Sequence, residues 1–249
     1  MYTKIKVLLF GILIITYPLN AQSDTKSIAN SFYNFWLSSE YYNGIIRGKT
    51  PFELAPMKIS PIQIFFPKGS NVIFWGSLQE GMTGKFTIID SLSIEFTLYN
   101  SEKARIEKAA DNKLSLIFQH DTMSFVSLPP KYYMKDGLTS FINDNFVTGT
   151  YSQESLSDKI IEFTQNGDLH GIDNFNHFSI SLWGIGTPEF DTIILRNSNT
   201  GYYRRYCWER DGDILLLYEL DLVNQDNPTP DELSKCKTGK LFCKLKRNK

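Results

Sequence analysis

The sequence predicts an all-β fold with very little helix, arranged either as an antiparallel β-barrel or as two packed β halves. Short runs rich in Tyr, Phe, Ile and Thr recur along the chain and are separated by Gly, Asn, Asp and Pro, which is the pattern of strands joined by turns. Turn signals recur roughly every 8–12 residues, a spacing typical of sandwiches and barrels. Aromatic residues make up 14% of the chain, which favours thick apolar packing between strands.

The N-terminus, residues 1–21, is interpreted as a removable signal peptide. Lys4 and Lys6 precede the uncharged run Val7 to Ile15, which has the length of a signal core and is too short to span a bilayer. Ala21 is the expected cleavage position, and a retained N-terminal anchor is the alternative. We therefore expect an exported protein, periplasmic or secreted, with no membrane span after signal removal.

The first β half is predicted over residues 22–130. A short helix over Asp24–Ser31 is expected to precede the strands. Turn residues such as Pro67-Lys68-Gly69-Ser70-Asn71 and Asp111-Asn112 mark hairpins between them. The candidate strands, in chain order, are Phe35–Ile45, Ile62–Phe66, Val72–Ser77, Gly84–Ile89, Ser93–Tyr99, Ala104–Ala109, Leu114–Gln119 and Thr122–Leu128.

The second β half, residues 145–249, is predicted to repeat the first. Residues 131–144 form the predicted connector, with one helical turn at Leu138–Ile142. Four segments match between the halves in the same order, which predicts a tandem duplication; chance similarity of two β halves is the alternative. The matched pairs are Asn34-Phe35 with Asn145-Phe146, Ile62–Phe65 with Ile160–Phe163, Tyr99–Ser101 with Arg196–Ser198, and Asp111–Lys113 with Asp211–Asp213.

The opening of the second half carries a short motif. Gly149-Thr150-Tyr151 begins a predicted strand, the hairpin pattern Phe163-x-x-x-Gly167 follows, and further strands end at Leu241–Leu245. On these residues, the segment 141–247 resembles the bacterial lipocalin-like β-barrel family, in which the opening motif is often Gly-x-Trp and Tyr151 stands in place of the tryptophan. The resemblance implies a barrel with an apolar interior and, in many relatives, a small hydrophobic ligand.

A dense aromatic and basic run gives the candidate ligand-binding residues. On a strand, Tyr202, Arg204, Tyr206 and Trp208 share one face. Aromatic rings beside an arginine can bind sugars, bases or anions through stacking and charge. The alternative is an ordinary barrel strand with one packed face and arginine stems covering the other.

Asp168 and His170 are the candidate metal ligands. They lie two residues apart, so on a strand both face one side, and a carboxylate with an imidazole can hold a divalent cation. Asp173 and His177 follow in the same polar segment. The alternative is that Asp168 belongs to a turn, where Asp and Asn are common for backbone reasons.

The chain has three cysteines, all in its C-terminal part. An exported protein enters an oxidising compartment, so one pair is expected to bridge and the third to remain free. Cys207 with Cys243 is the predicted disulfide, because both lie in strand-like runs. Cys236 with Cys243 is the alternative.

The charge balance and the absence of motifs limit the function. With 26 Lys+Arg against 27 Asp+Glu, the chain lacks the basic excess typical of a nucleic-acid partner. The sequence shows no nucleophile elbow, phosphate loop or dinucleotide fingerprint, so we assign no catalytic residue and no cofactor. Catalytic groups can also assemble from distant segments, so an enzyme stays an alternative.

The sequence supports three functions of different classes. The first is an exported lipocalin-like protein that binds a small hydrophobic or amphipathic ligand. The second is a structural or protein-interaction module of the cell envelope with a packed interior, whose partner is an envelope protein. The third is an extracellular glycan or peptide hydrolase, which would need carboxylates or a nucleophile and base converging in a cleft.

Overall fold

A computed structural model describes residues 31–54, 62–76, 81–97, 102–110, 112–133, 137–153, 156–181, 190–222 and 228–248. Within these residues the chain is mostly antiparallel β-sheet with four short α-helices, which confirms the predicted fold class. The predicted signal peptide lies outside the described residues, as does the predicted N-terminal helix except for its last residue. In the described part, every helix falls short of the length and apolar character needed to cross a membrane.

The first half forms a closed barrel of eight strands. Each strand pairs with the next along the chain, and the eighth pairs back with the first, where Trp36 lies opposite Ser127. The strands are β1 (Phe35–Ser38), β2 (Gln63–Phe65), β3 (Val72–Gly76), β4 (Gly81–Asp90), β5 (Ser93–Thr97), β6 (Lys103–Ala110), β7 (Lys113–Phe118) and β8 (Asp121–Ser127).

The interior of the first barrel is filled by side chains. Alternate residues of its strands point inward, so Ile73 and Trp75 are buried on β3 while Phe74 between them is exposed. Large rings occupy much of the interior, and the Trp75 and Phe96 ring centroids lie 4.9 Å apart. Eight-stranded barrels of this kind have just enough interior for such packing.

The predicted strand Phe35–Ile45 is wrong beyond Ser38. The strand β1 ends there and the helix α1 (Ser39–Ile46) begins, followed by the short helix α2 (Pro51–Leu54). The Ser38 hydroxyl accepts a hydrogen bond from the backbone N–H of Tyr41 at 3.2 Å, which caps the helix. Tyr41 and Ile45, four residues apart, then share the buried face of α1.

The second half forms a nearly closed barrel with the same sequential strand order. The first strand pairs with both the second and the last, and only an isolated bridge between Asp168 and His177 links the third strand to the fourth. The strands are β9 (Gly149–Gln153), β10 (Leu156–Phe163), β11 (Leu169–His170), β12 (His177–Ser181), β13 (Thr192–Arg196), β14 (Tyr203–Asp211), β15 (Ile214–Asp221) and β16 (Lys237–Arg247).

The four sequence matches occupy corresponding places in the two barrels. In each half they fall at or just before the first strand, in the second strand, at the connection of the fifth and sixth strands, and at the connection of the sixth and seventh. Two of the segments in the first half, Tyr99–Ser101 and Asp111, lie outside the described residues. The shared order favours the duplication, which stays a prediction.

One apolar core joins the two halves. The connector contains a short 3-10 helix (Pro130–Tyr132) and the helix α3 (Gly137–Phe146), which is longer than the single predicted turn. Leu37 of β1 packs in the same buried cluster as Phe141 of α3 and the interior of the second barrel. Tyr42 of α1 stacks on Phe141 with ring centroids 5.3 Å apart. The helices α1 and α3 therefore lie between the barrels and close one end of the second.

The predicted Cys207–Cys243 disulfide is not formed, because Cys207, Cys236 and Cys243 are free thiols. The strand β15 separates the strands that carry Cys207 and Cys243. Cys243 packs in the core that fills the second barrel, whereas Cys207 lies in a different cluster with Leu233 of the helix α4 (Pro230–Lys235). Cys236 packs against that second cluster, so the alternative pair of Cys236 with Cys243 is also separated.

Candidate functional site

A cavity of about 460 Å³ lies in the second barrel. This volume is within the range of roughly 300–1,000 Å³ that is usual for small-molecule sites. Its walls come from β9, β10, β14 and β16 and from the loop between β11 and β12. The lining residues are Gln153, Lys159, Ile161, Gly171, Ile172, Asp173, Asn174, Phe175, Tyr202, Arg204, Tyr206, Phe242 and Cys243.

The strand β14 and the residue before it contribute Tyr202, Arg204 and Tyr206 to the cavity. These are three of the four residues predicted to bind a ligand, and they share a face because alternate strand residues point to the same side. The fourth, Trp208, is not part of the cavity wall and lies in the core beside α3. It is 2% exposed, and its ring lies 5.5 Å from that of Phe146 in α3. The cavity therefore opens at the end of the barrel away from α3.

A β-bulge in β16 turns two consecutive side chains toward the cavity. Leu217 pairs with Cys243 and the next residue, Tyr218, pairs with Leu241, which leaves Phe242 as the extra residue. Phe242 and Cys243 both line the cavity, while Leu241 is exposed. In a regular strand Phe242 and Cys243 would point to opposite faces, so only the bulge explains their common position.

Four rings form an aromatic corner, composed of Phe175, Tyr202, Tyr206 and Phe242. Phe175 stacks on Tyr202 with centroids 5.9 Å apart and meets Tyr206 edge-on at 6.3 Å. Tyr206 and Phe242 lie 4.5 Å apart with an interplanar angle of 30°. Such a corner offers ring faces and edges on which an apolar or planar group can pack.

Hydrogen bonds between two loops hold Phe175 in the corner. The Asn197 side chain donates to the Asn174 carbonyl oxygen at 3.1 Å. The Asn176 side chain donates to the Ser198 hydroxyl at 3.0 Å and accepts from the Ser198 backbone N–H at 2.8 Å. These bonds join the loop before β12 to the turn before β14, so the aromatic wall is formed before any ligand binds.

The charges in the cavity wall are not balanced. Lys159 and Asp173 form an ion pair with a 2.8 Å separation between Nζ and Oδ1. Arg204 lies over the ring of Tyr202, with its Cζ atom 5.7 Å from the centroid, and none of the described residues forms an ion pair with it. The Nε atom of Arg204 is buried and has no hydrogen-bond partner among the described residues. Arg204 is therefore the uncompensated charge of the wall.

Two further groups of the wall, Tyr206 and Cys243, are neutral near pH 7. Burial raises the pKa of the Tyr206 hydroxyl to about 12, although the nearby Arg204 lowers it. Burial also raises the pKa of the Cys243 thiol to about 12. Tyr206 is therefore a hydrogen-bond donor at neutral pH, and Cys243 is a thiol rather than a nucleophilic thiolate.

The predicted metal ligands lie outside the cavity. The Oδ1 atom of Asp168 lies 3.2 Å from Nδ1 of His177, and the backbone N–H of Asp168 donates to the Thr164 hydroxyl at 2.9 Å. His170 is exposed and pairs in register with Glu162 of β10. The part of the chain that the structure describes contains no group of three or more His, Cys, Asp or Glu able to hold a metal ion.

Comparison with known proteins gives no relative from which a function could be transferred. No protein-family model, curated protein or solved structure matches the chain. The lipocalin-like resemblance therefore stays a prediction, and the function has to be inferred from the barrels and the cavity.

Proposed function

We propose that this chain is an exported, lipocalin-like protein that binds a small hydrophobic or amphipathic molecule in the cavity of its second barrel. The aromatic corner beside an open cavity carries this proposal. Its four rings offer much apolar surface at a low cost in side-chain entropy, because each ring has few rotatable bonds and neighbouring rings already hold it. Export is proposed from the N-terminal segment of the sequence.

The two barrels differ in a way that supports this proposal. A buried cluster of aromatic and aliphatic side chains packs inside the first barrel, and the second barrel holds the cavity beside a buried cluster of its own. Phe163 and Trp208, which follow the wall residues Ile161 and Tyr206 by two positions on β10 and β14, are buried in this cluster. A ligand that enters from the open end would thus meet the aromatic corner at its side and a packed apolar core beneath it.

Titration with the neutral fluorescent probe N-phenyl-1-naphthylamine tests the proposal. The variant Ile172→Trp enlarges a side chain in the cavity wall, and Ile160→Trp is its matched control, because Ile160 is 65% exposed on the outer face of β10. Wild type and Ile160→Trp should bind the probe equally, and Ile172→Trp should bind at least tenfold more weakly. Far-ultraviolet circular dichroism confirms that both variants are folded.

Two results would contradict ligand binding in the cavity. The first is a wild-type protein that leaves the probe fluorescence unchanged at saturating concentration. The second is probe binding that both isoleucine variants retain equally, which would place the probe elsewhere on the surface.

A second candidate function is an interaction module of the cell envelope. Phe74 lies on the outer face of the first barrel, between the buried residues Ile73 and Trp75, and is 41% exposed. The Phe65 ring lies 6.0 Å from that of Phe74, so the apolar surface continues onto β2. An envelope protein that is cross-linked to wild type and is lost with Phe74→Lys would favour this candidate.

A further inference from the structure

We infer that the cavity binds a small amphipathic acid, whose carboxylate is held by Arg204 and whose apolar body packs on the aromatic corner. This inference rests on the proposed function and names the chemical class of the ligand. It depends on three features of the wall, which are its charge balance, the surroundings of Arg204 and the separation of polar from apolar surface.

The wall carries one uncompensated positive charge. Of its three charged residues, Lys159 and Asp173 neutralise each other across 2.8 Å, which leaves Arg204. A carboxylate brings one negative charge and matches this excess. A phosphate monoester brings about −1.5 to −2 at neutral pH and would leave a charge without a partner. Charge balance therefore favours the carboxylate.

The guanidinium of Arg204 is placed to receive an anion. Its position over the Tyr202 ring restrains the side chain, and its buried Nε–H lacks an acceptor among the described residues. Because this Nε–H is shielded from the cavity, a carboxylate would bind the terminal Nη groups of the guanidinium, to which it supplies two acceptor oxygens. The hydroxyl of Tyr206, which stays protonated at neutral pH, lies on the same face of β14 and offers a further donor.

Two carboxylates of this region, Asp173 and Glu219, do not neutralise Arg204. Asp173 is engaged by Lys159, and Asp173 is 86% exposed. Glu219 pairs in register with Tyr206 on β15 and contributes to the raised pKa of that tyrosine. It forms no ion pair with Arg204 and is not part of the cavity wall. An anionic head group can therefore approach the guanidinium without displacing a protein carboxylate.

The apolar part of the wall lies next to this polar group. Ile161 and Ile172 face the cavity together with Phe175 and Phe242, and the Phe242 ring is 4.5 Å from that of Tyr206. A molecule with its acid at Arg204 would lay its apolar body along these side chains. The arrangement of one cation beside an apolar wall is the complement of an amphipathic acid.

Displacement of N-phenyl-1-naphthylamine by decanoate and by decanol, measured on the full mature chain, tests this inference. The two competitors have the same chain length and differ in head group, so the ratio of their dissociation constants isolates the contribution of the acid. Wild type is expected to bind decanoate about tenfold more tightly than decanol, as a charge-assisted hydrogen bond implies.

Substitutions at Arg204 identify the residue responsible. Arg204→Met should abolish the preference for decanoate, while Arg204→Lys should keep most of it. Arg196→Met is the matched control, because Arg196 is exposed on β13 and lies outside the cavity wall, and it should behave as wild type. If Arg204→Met does not fold, Arg204→Gln replaces it as a polar side chain without charge.

Each outcome separates this inference from the function on which it rests. A preference for decanoate that is lost only in the variants without a charge at position 204 supports the inference that the ligand is an amphipathic acid. If wild type binds decanoate and decanol equally, the inference that the ligand is an acid is overturned. The same holds if Arg204→Met retains the preference for decanoate. Both results leave the proposed binding function intact. Decyl phosphate bound more tightly than decanoate through Arg204 overturns the assignment of a carboxylate. Failure of the neutral probe itself to bind overturns both.

Discussion

Replacing Asp191 with asparagine should stabilise the protein by an amount that grows between about pH 4 and 6 and is constant at higher pH. Asp191 precedes β13 and accepts a hydrogen bond from the backbone N–H of Phe52 in α2 at 2.9 Å, so it links the two halves. Burial raises its pKa to about 6 from 3.8 and the charge of Glu53 adds to this, while hydrogen bonds from Thr50 and Phe52 lower it. Tyr41 also faces this carboxyl, which contributes to the raised pKa of that tyrosine.

The expected magnitude follows from the pKa of Asp191 in the folded and unfolded chains. Because the folded pKa lies above the unfolded value, the folded chain binds more protons between about pH 4 and 6. The free energy of unfolding therefore falls as the pH rises through this window and is constant above it. A difference of about two pH units corresponds to about 3 kcal/mol at neutral pH. Asp191→Asn avoids this cost and keeps an acceptor for the Phe52 N–H.

Urea denaturation of wild type and Asp191→Asn at several pH values from 4.5 to 7.5 measures this effect. The variant should be about 3 kcal/mol more stable than wild type at pH 7.5 and only about 1 kcal/mol more stable at pH 4.5. Asp121→Asn is the control, because Asp121 is exposed at a hairpin of the first barrel, and it should differ little from wild type at any pH. A variant less stable than wild type at pH 7.5, or a difference that does not change with pH, would refute the assignment of a buried charge.

Two further predictions concern the loop of the cavity and the cysteines. Gly171→Ala should lower the free energy of unfolding by about 2 kcal/mol or more and weaken probe binding, because the new Cβ would lie 2.2 Å from a backbone carbonyl oxygen at a φ of +87°. The control is Gly48→Ala, because Gly48 has a φ of +84° and no neighbour within 4 Å, and it should lower the free energy of unfolding by only about 1 kcal/mol. If urea denaturation gives equal losses for the two variants, the close contact between the new Cβ at position 171 and the backbone carbonyl oxygen is contradicted. After mild oxidation, peptide mass mapping should find a bridge between Cys207 and Cys236, which pack in one cluster beneath α4, and leave Cys243 free. A Cys207–Cys243 bridge would contradict the separation of these residues by the sheet.

Much of the fold could be predicted because strands and turns have local signatures. The turn Pro67–Asn71 and the residues near Asp211 mark hairpins through their backbone preferences, and the alternating apolar residues between such turns indicate strands with one buried face. The helix α1 was missed because its aromatic residues suit a strand equally well. Its start depends on one hydrogen bond from the Tyr41 N–H to the Ser38 hydroxyl, a signal too weak to recognise in the sequence.

The candidate site could be predicted only where it follows a single strand. Tyr202, Arg204 and Tyr206 alternate along β14, so their common face is visible in the sequence. Phe242 reaches the cavity through a bulge, which depends on the register between β15 and β16. Phe175 reaches it through hydrogen bonds between two loops. Both depend on contacts between distant segments, which neither periodicity nor motif reveals.

The most direct test of ligand binding in the second barrel is native mass spectrometry of the mature protein purified under gentle conditions from its own host. A mass excess over the denatured protein, present in wild type and absent from Ile172→Trp, is the expected result. Its value should correspond to a molecule small enough for a cavity of about 460 Å³. A native mass equal to the denatured mass in wild type, together with no binding of the neutral probe, would contradict the proposed function.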